Sequence, residues 1–180
     1  MEKNFNFQEK KAKILSYFKM LQKKSNSKSK LESQSNDDKV FQIKLYDPFL
    51  ADCFAWTYRF KYLKLFLSFT NHSISTDKFV DQFLELRSSM IEEFRELMDE
   101  LETNFEPSLL NRFLIDEIAF GFSDIISETH EDCDVFVSDQ LLESMGETSR
   151  DPGEIDEDEF YSRIKKATFT IQKQIDKDIK

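Results

Sequence analysis

Few residues of this chain could carry chemistry, apart from its many carboxylates. His130 and Cys133 are three residues apart, which is a spacing seen in zinc-ligand pairs. A zinc site needs about four ligands, and the other thiol and imidazole, Cys53 and His72, belong to different segments of the sequence. The sequence therefore predicts two reduced cysteines and a solvated histidine rather than a metal centre.

The carboxylates suggest no catalytic pair and no calcium loop. The segment 132–143 has acids at the first, third and twelfth positions of a calcium-binding loop, but Val137 stands where the turn needs glycine. No Glu precedes either histidine by three residues, as two-metal helical bundles require. Nucleophile elbows and glycine-rich phosphate loops are also absent from the sequence. We therefore predict a protein that is not an enzyme and has no catalytic residues, metal or cofactor, with an unrecognised hydrolase or metalloenzyme as a weaker alternative.

A run of alternating aromatic and basic residues could stack on the bases of a single-stranded nucleic acid. An aromatic stripe at helical spacing is more often part of a protein core, and the acidic residues that follow it would repel a phosphate backbone. We therefore predict no nucleic-acid binding. The run consists of Trp56, Tyr58, Phe60 and Tyr62, together with Arg59, Lys61 and Lys64.

The net charge of −10 is concentrated in one part of the chain. Residues 79–160 carry 25 acidic and 4 basic side chains, whereas residues 1–44 carry 11 basic and 5 acidic ones. An acidic block of this kind either keeps the protein soluble or attracts a basic protein, for example by presenting carboxylates where a nuclease expects phosphates. The carboxylates that we predict to bind such a partner are Glu128, Glu131, Asp132, Asp134, Asp139, Glu154, Asp156, Glu157, Asp158 and Glu159.

The chain is organised around an amphipathic stretch from Ser75 to Thr103. Its apolar residues recur at spacings of three and four, and its opposite face is crowded with acids, which predicts a helix with one buried side. Ser75 or Thr76 can cap its first turn, and Asp77 complements the helix dipole. The pair at 88–89, two serines, leaves open two shorter helices in place of one.

The remaining segments predict further helices around this one. Three more amphipathic patterns occur, and together they predict an all-α, antiparallel bundle of about four long helices. Within it, Gly121 is either a weak spot or a close approach of another helix. The expected segments are a helix over 49–71, a helix from Pro107 to about 127, an acid-rich irregular stretch at 128–153 with a short helix after Ser138 and loops at Gly146 and 151–153, and a last helix with Phe160, Ile164, Ala167, Ile171 and Ile175 on its apolar face.

The composition also predicts how the chain divides. Residues 1–24 form a basic amphipathic helix or arm, which could be a targeting peptide, a membrane-surface helix or a docked first helix. Residues 25–44 are a Ser-rich polar linker whose end, from residue 40, is extended, and residues 45–180 form the acidic helical bundle. No secretory signal or apolar membrane span is present, so we expect no stable membrane insertion and a soluble intracellular location, in a bacterial cytoplasm or a plastid stroma.

Two stretches carry a resemblance to a known family. At 62–86 the chain reads Y-L-K-L-F-L-S-F-T-N-H-S-I-S-T-D-K-F-V-D-Q-F-L-E-L, a helix, a break and a second helix, and at 155–167 it reads I-D-E-D-E-F-Y-S-R-I-K-K-A, an acid-headed last helix. Residues 58–172 thereby resemble the bacterial self-protective colicin-D-like immunity proteins. The resemblance implies a helical bundle that binds and blocks a tRNA-cleaving toxin domain through acidic residues. The alternative is a structural or regulatory helical protein, encoded in a bacterium or a plastid, that has no toxin partner.

Overall fold

The protein is helical throughout the described part of the chain. A computed structural model describes residues 51–104 and 117–178. Within these ranges 81% of the residues are helical and no strand is present, so the predicted all-α class is confirmed. The arm and linker predicted at 1–44 lie outside the described residues. The helices are α1 (of which residues 51–56 are described), α2 (Arg59–Thr70), α3 (Thr76–Asn104), α4 (Glu117–Val135), α5 (Asp139–Met145) and α6 (Glu157–Asp178).

The helix predicted around the central amphipathic stretch is one continuous element of 29 residues, α3. It passes through the serine pair at 88–89 without a break, so the alternative of two shorter helices is wrong. Serine lowers helix stability by only a few tenths of a kcal/mol relative to alanine, which a long amphipathic helix tolerates. Ser75 caps it as predicted, because its Oγ accepts the N–H of Lys78 at 3.4 Å.

The single helix predicted over 49–71 is wrong, because the chain turns between α1 and α2. The N–H of Tyr58 donates to the carbonyl of Ala55 at 2.8 Å, which tightens the chain into a turn. Arg59 begins α2, and its Nη1 donates to the carbonyl of Trp56 at 3.0 Å. The guanidinium therefore satisfies a carbonyl that the interrupted helix leaves without a backbone partner.

The irregular stretch predicted from residue 128 is also corrected, because α4 continues to Val135. Thr129 and Cys133 are buried and extend the apolar stripe of Ile125 at four-residue steps. Small side chains of this kind fit a helix interface even though they add little to a hydrophobic pattern. The acid-rich composition of this segment therefore led to a prediction of irregular structure where α4 has two further turns.

The short helix predicted after Ser138 is confirmed as α5. The Oγ of Ser138 accepts the N–H of Leu141 at 3.2 Å, which is an N-cap. Gly146 ends α5 at φ 74°, a left-handed conformation that glycine adopts without strain. The loop predicted at 151–153 is a turn between α5 and α6.

Contacts within the chain define two compact units, and α3 contributes to both. The described residues of the first unit are 51–54 and 89–104. Here the rings of Phe54 and Phe94 lie 5.5 Å apart, and Leu97 is buried.

The second unit comprises the described residues 55–88 and 117–178, and its core is aromatic. Phe79 lies at the centre of a group of rings, 4.8 Å from Phe69 and 5.8 Å from Phe160 between ring centroids. Tyr62 joins Phe83 to Phe122 in the same way, at 5.7 and 5.9 Å. Such tilted and edge-on pairs add about 0.5–1.5 kcal/mol each beyond their buried area. The rings thus connect helices α2, α3, α4 and α6.

Helix α6 packs against both α2 and α4. Phe69 near the end of α2 contacts Phe160 at the start of α6, so these two helices are antiparallel. The predicted apolar face of α6 is correct except at Ala167, which is only half-buried. Thr168 takes the core position instead, because its hydroxyl donates to the carbonyl of Ile164 at 2.7 Å and so enters the core with its polar group satisfied.

His72 occupies the turn between α2 and α3 with a positive φ of 57°. Its ring stacks on Tyr161 of α6, with 5.1 Å between centroids and 10° between ring planes. The hydroxyl of Tyr161 donates to the carbonyl of Thr70 at 3.0 Å. The hydroxyl of Tyr161 also lies 3.4 Å from Nε2 of His72, so the ring stack and the hydrogen bonds of Tyr161 hold the turn to α6.

Candidate partner-binding surface

The predicted partner-binding carboxylates belong to two segments that the fold brings together. Four of them lie on the last turns of α4, and five lie in the loop before α6 and in its first turn; Asp139 begins α5. The backbone joins the segments directly, because the N–H of Ile155 donates to the carbonyl of Val135 at 3.0 Å and the N–H of Val137 donates back to Ile155 at 3.1 Å. The ring of Phe136 also packs on Phe160, with 5.0 Å between centroids.

Arg163 connects the two acidic segments through hydrogen bonds to a carboxylate of each. Its Nη1 donates to Oδ1 of Asp132 on α4 at 2.6 Å, and its Nη2 donates to Oε1 of Glu159 at 2.6 Å. Those two hydrogen bonds raise the pKa of the Arg163 guanidinium above its ordinary value. We name the surface around Arg163, formed by the end of α4 and the start of α6, the acidic surface.

Several other predicted carboxylates are also engaged within the chain. Arg150 pairs with Asp139 and donates from Nε to the carbonyl of Val137 at 3.0 Å, which holds the loop after α5. Asp134 lies 3.6 Å from Nδ1 of His130, one helical turn earlier.

Two more act on the backbone of the loop and of the first turn of α6. Glu154 accepts the N–H of Asp151 at 2.8 Å, and Asp156 accepts the N–H of Glu159 at 2.8 Å as the N-cap of α6. Together with the arginine ion pairs and the contact between Asp134 and His130, six of the ten predicted carboxylates have structural partners.

Four predicted carboxylates remain, and they are all exposed. Glu128 and Glu131 lie on α4, and Glu157 and Asp158 lie in the first turn of α6. None of the four forms a hydrogen bond or ion pair with any residue in the described ranges. The acidic surface therefore has an inner set of carboxylates that organises it and an outer set that is open to solvent.

A groove of about 570 Å³ lies between α4 and α6 beside the acidic surface. At its far end a Cβ atom on Gly121 would lie 3.0 Å from Nε2 of Gln174, the flexible end of a side chain of α6, so the contact does not decide between a weak spot and a close approach of the helix. Carboxylates of α4 line one wall of the groove, and Arg163 and Lys166 line the other. Both signs of charge are thus present along one cleft.

The two histidines and the two cysteines do not gather into one metal-binding group among the described residues. Burial, together with the charges of Asp132 and Asp134, raises the pKa of the Cys133 thiol to about 12. The two cysteines do not form a disulfide with each other. Among residues 51–104 and 117–178, no three His, Cys, Asp or Glu side chains come together as a metal site would require. Cys133 is therefore a buried and unreactive thiol rather than a nucleophile.

The aromatic run of α1 and α2 is mostly core. Tyr58 and Tyr62 are fully buried, and Trp56 packs edge-on against Phe122 at 5.4 Å. Among the aromatic residues of the run, only Phe60 is largely exposed, at 55%. Most of the aromatic residues of the run are thus part of the core, as the interpretation of an aromatic stripe at helical spacing predicts.

The residue that sequence reasoning missed is Arg163. Its position four residues after Glu159 signals a pair within one helix, but nothing in the sequence indicates the bond to Asp132 across two helices.

Within the described ranges, no helix has both the length and the apolar character needed to cross a membrane. Comparison with protein-family models, curated proteins and solved structures found no match to this chain.

Proposed function

We propose that this chain is a non-enzymatic inhibitor of the immunity type, whose acidic surface binds a cationic protein such as a tRNA-cleaving nuclease toxin. The observation that supports this proposal is the arrangement around Arg163. Two acid-rich segments that are distant in sequence lie side by side there, and four exposed carboxylates on them have no partner among the described residues.

The arrangement suits a basic active site for a physical reason. A nuclease that binds a phosphate backbone needs several cations on one surface, and these attract a matching cluster of carboxylates. The outer carboxylates are hydrated and free to exchange water for a lysine or arginine of the partner. The inner ones are fixed by Arg163, Arg150 and backbone N–H groups, so little side-chain entropy remains to be lost around them. Electrostatic attraction of this kind raises association rates by about 10- to 1000-fold at low salt.

The first test identifies the partner and its dependence on charge. The immobilised chain is exposed to a lysate of its source at low and at high salt, and the captured proteins are identified. A single basic protein that is released as salt rises is the expected result, because salt screens exposed charges beyond about 10 Å at 0.1 M. No specific capture at either salt concentration would contradict the proposal.

The second test uses matched charge variants against the purified partner. The variant E128Q/E131Q/E157Q/D158N removes the four outer carboxylates, and the variant D81N/E85Q/E92Q/E96Q removes four exposed carboxylates of α3. We expect the first variant to weaken binding at least about tenfold, mainly through a slower association, and the second to change it by less than about threefold. Equal losses in both variants would show that net charge, not the acidic surface, is responsible.

A third test addresses the toxin itself. Cells that express a tRNA-cleaving toxin domain are followed for growth with the wild-type chain, with the outer-carboxylate variant or with the α3 control. Protection by the wild type and the control but not by the outer-carboxylate variant is expected. Absence of protection by any of the three would separate the chain from that class of toxin while leaving other cationic partners to the capture experiment.

A second candidate function has a specific observation in its favour. Six of the ten predicted carboxylates serve caps, loop contacts or ion pairs inside the chain, as in a structural or regulatory helical protein whose acids only stabilise and solubilise it. This alternative predicts that neutralising the outer carboxylates lowers solubility and changes no binding. Light scattering and the capture experiment together distinguish the two functions.

A further inference from the structure

A second surface of the protein has the opposite chemical character. It lies on α2 and α6, on the solvent side of their packing, and it combines exposed apolar side chains with lysines. Phe169 is 71% exposed, Phe60 is 55% exposed and Leu67 is 38% exposed. We name this surface the apolar–basic ridge; its residues are Phe60, Lys64 and Leu67 of α2 and Lys165, Phe169 and Lys173 of α6.

The packing of α2 on α6 places these residues on one surface. Arg59 and Thr70, three helical turns apart, both face α6: Nη2 of Arg59 lies 3.4 Å from Asp178, and the carbonyl of Thr70 accepts the hydroxyl of Tyr161. Phe60 comes one position after Arg59, and Leu67 comes three positions before Thr70. Each is therefore rotated about the α2 axis by about a quarter of a circle from the side that faces α6, in the direction away from the buried residues. Phe60 and Leu67 therefore lie along the solvent edge of the contact with α6.

Along the helix axes, Phe169 lies at a level between the two apolar residues of α2. The antiparallel contacts place the start of α6 beside the end of α2, so the level of Phe169 falls between those of Leu67 and Phe60. Those two residues are seven positions apart, or about 10 Å along the helix axis. Lys165 and Lys173 flank Phe169 one helical turn on either side, with Nζ of Lys165 5.8 Å from the centre of the Tyr161 ring.

We infer that the apolar–basic ridge is a docking surface for an acidic amphipathic helix of a partner protein. Apolar residues at positions i, i+4 and i+7 of a bound helix also span about 10 Å, which matches the distance from Phe60 to Leu67. Acidic residues on the flanks of such a helix would meet Lys165 and Lys173. The inference uses residues other than those of the acidic surface and does not depend on the proposed function.

Other occupants fit the charges less well. A second copy of the chain, related by a two-fold axis, would place the lysines of one ridge against those of the other. A membrane or a long nucleic acid covers more than the ridge, so its negative charges would also meet the acids of the neighbouring helix α4 and of the start of α6. A single acidic helix that covers Phe169 meets Lys165 and Lys173 on either side of it and leaves the acids of α4 uncovered.

The test uses a fluorescein-labelled synthetic peptide of eighteen residues in which leucines at i, i+4, i+7 and i+11 are flanked by glutamates. Its binding to the full chain is followed by fluorescence anisotropy, beside a scrambled peptide of the same composition. The ridge variants are F169S and K165E/K173E. The matched controls are F120S, at an aromatic residue of α4 that is 54% exposed, and K78E, at an exposed lysine of α3. Circular dichroism checks that each variant is folded.

We expect the peptide whose leucines form one face, the face-forming peptide, to bind more tightly than the scrambled peptide. Each ridge variant should weaken that binding by about tenfold or more, as the substitution of interface anchors does. The control variants should change it by less than about threefold. Equal binding of the two peptides, equal losses in ridge and control variants, or no binding of the face-forming peptide at millimolar concentration would overturn the inference. Phosphatidylserine vesicles or oligothymidylate that bind the wild type but not F169S would overturn it too, in favour of a membrane or nucleic-acid surface.

Discussion

Replacing Arg163 by methionine should destabilise the second unit, because it leaves a shielded carboxylate without its partner. Arg163 donates to Asp132 and to Glu159, both at 2.6 Å. The Asp132 side chain is only 13% exposed, whereas that of Glu159 is 51% exposed. Methionine keeps much of the length of the arginine side chain, so the loss of charge and of hydrogen bonds dominates the change.

The exposures set the expected magnitude. An exposed pair one helical turn apart, such as Arg163 and Glu159, contributes about 0.3–0.5 kcal/mol. A hydrogen bond to a charged group contributes about 1.5–3 kcal/mol, and the lower end applies here since the Arg163 side chain is itself 45% exposed and partly screened. The total loss for Arg163→Met is therefore about 2 kcal/mol, most of it from Asp132.

Double-mutant cycles measured by urea unfolding can separate the two contributions. We expect a coupling energy of about 1.5 kcal/mol between Arg163 and Asp132, and of about 0.5 kcal/mol or less between Arg163 and Glu159. Lys166→Met, which removes a neighbouring exposed charge on α6, is the control and should change stability by less than about 0.5 kcal/mol. Equal coupling energies in the two cycles, or an Arg163→Met variant as stable as the control, would refute the reasoning.

Three further substitutions test the core, a cap and a buried thiol. Phe122→Ala should lose about 3–5 kcal/mol of unfolding free energy in a urea titration, since its ring is fully buried, whereas Phe120→Ala, at an exposed residue, should lose less than about 0.5 kcal/mol. Gly146→Ala should lose about 1 kcal/mol in the same assay, because alanine is strained at a φ of 74°. Burial raises the pKa of the Cys133 thiol from 9.0 to about 12, so the unfolded chain loses this proton first and stability should fall between these values as pH rises. Cys133→Ala should remove that part of the slope, which is at most about 1.4 kcal/mol per pH unit.

Each of these expectations has an outcome that contradicts it. Equal losses in the two phenylalanine variants would mean that the ring at 122 is not the one in the core. An alanine at 146 that leaves the urea midpoint unchanged would mean that the C-cap of α5 is not held in the left-handed region. A pH slope that is the same with and without the thiol at 133 would assign the alkaline loss of stability to other groups.

The helices could be predicted because large apolar residues mark one face of each. Phe79 and Phe83 stand four residues apart and are both fully buried, so the period of α3 was readable from its phenylalanines. Ser138 and Gly146 bound α5 as their types indicate. In all of these cases the signal lies within a few residues of the feature that it predicts.

The errors arose where no residue type marks the change of structure or where a small side chain was buried. The turn before α2 is closed by a bond from the N–H of Tyr58 to the carbonyl of Ala55, and neither glycine nor proline signals it in the sequence. The last turns of α4 bury Thr129, which a hydropathy pattern does not distinguish from loop residues, and Cys133, a single apolar residue between two aspartates. The candidate surface was predicted as a list of carboxylates, and only the fold separates those held by arginines and N–H groups from those open to a partner.

The position of Trp56 gives the protein a built-in optical reporter. It is the only tryptophan of the chain, and it lies edge-on to Phe122 of α4 with the guanidinium of Arg59 4.7 Å from its ring centre. Its fluorescence therefore reports on the junction between the turn at residue 57 and α4. A change in emission that precedes the loss of helical circular dichroism would show that this junction opens before the helices melt.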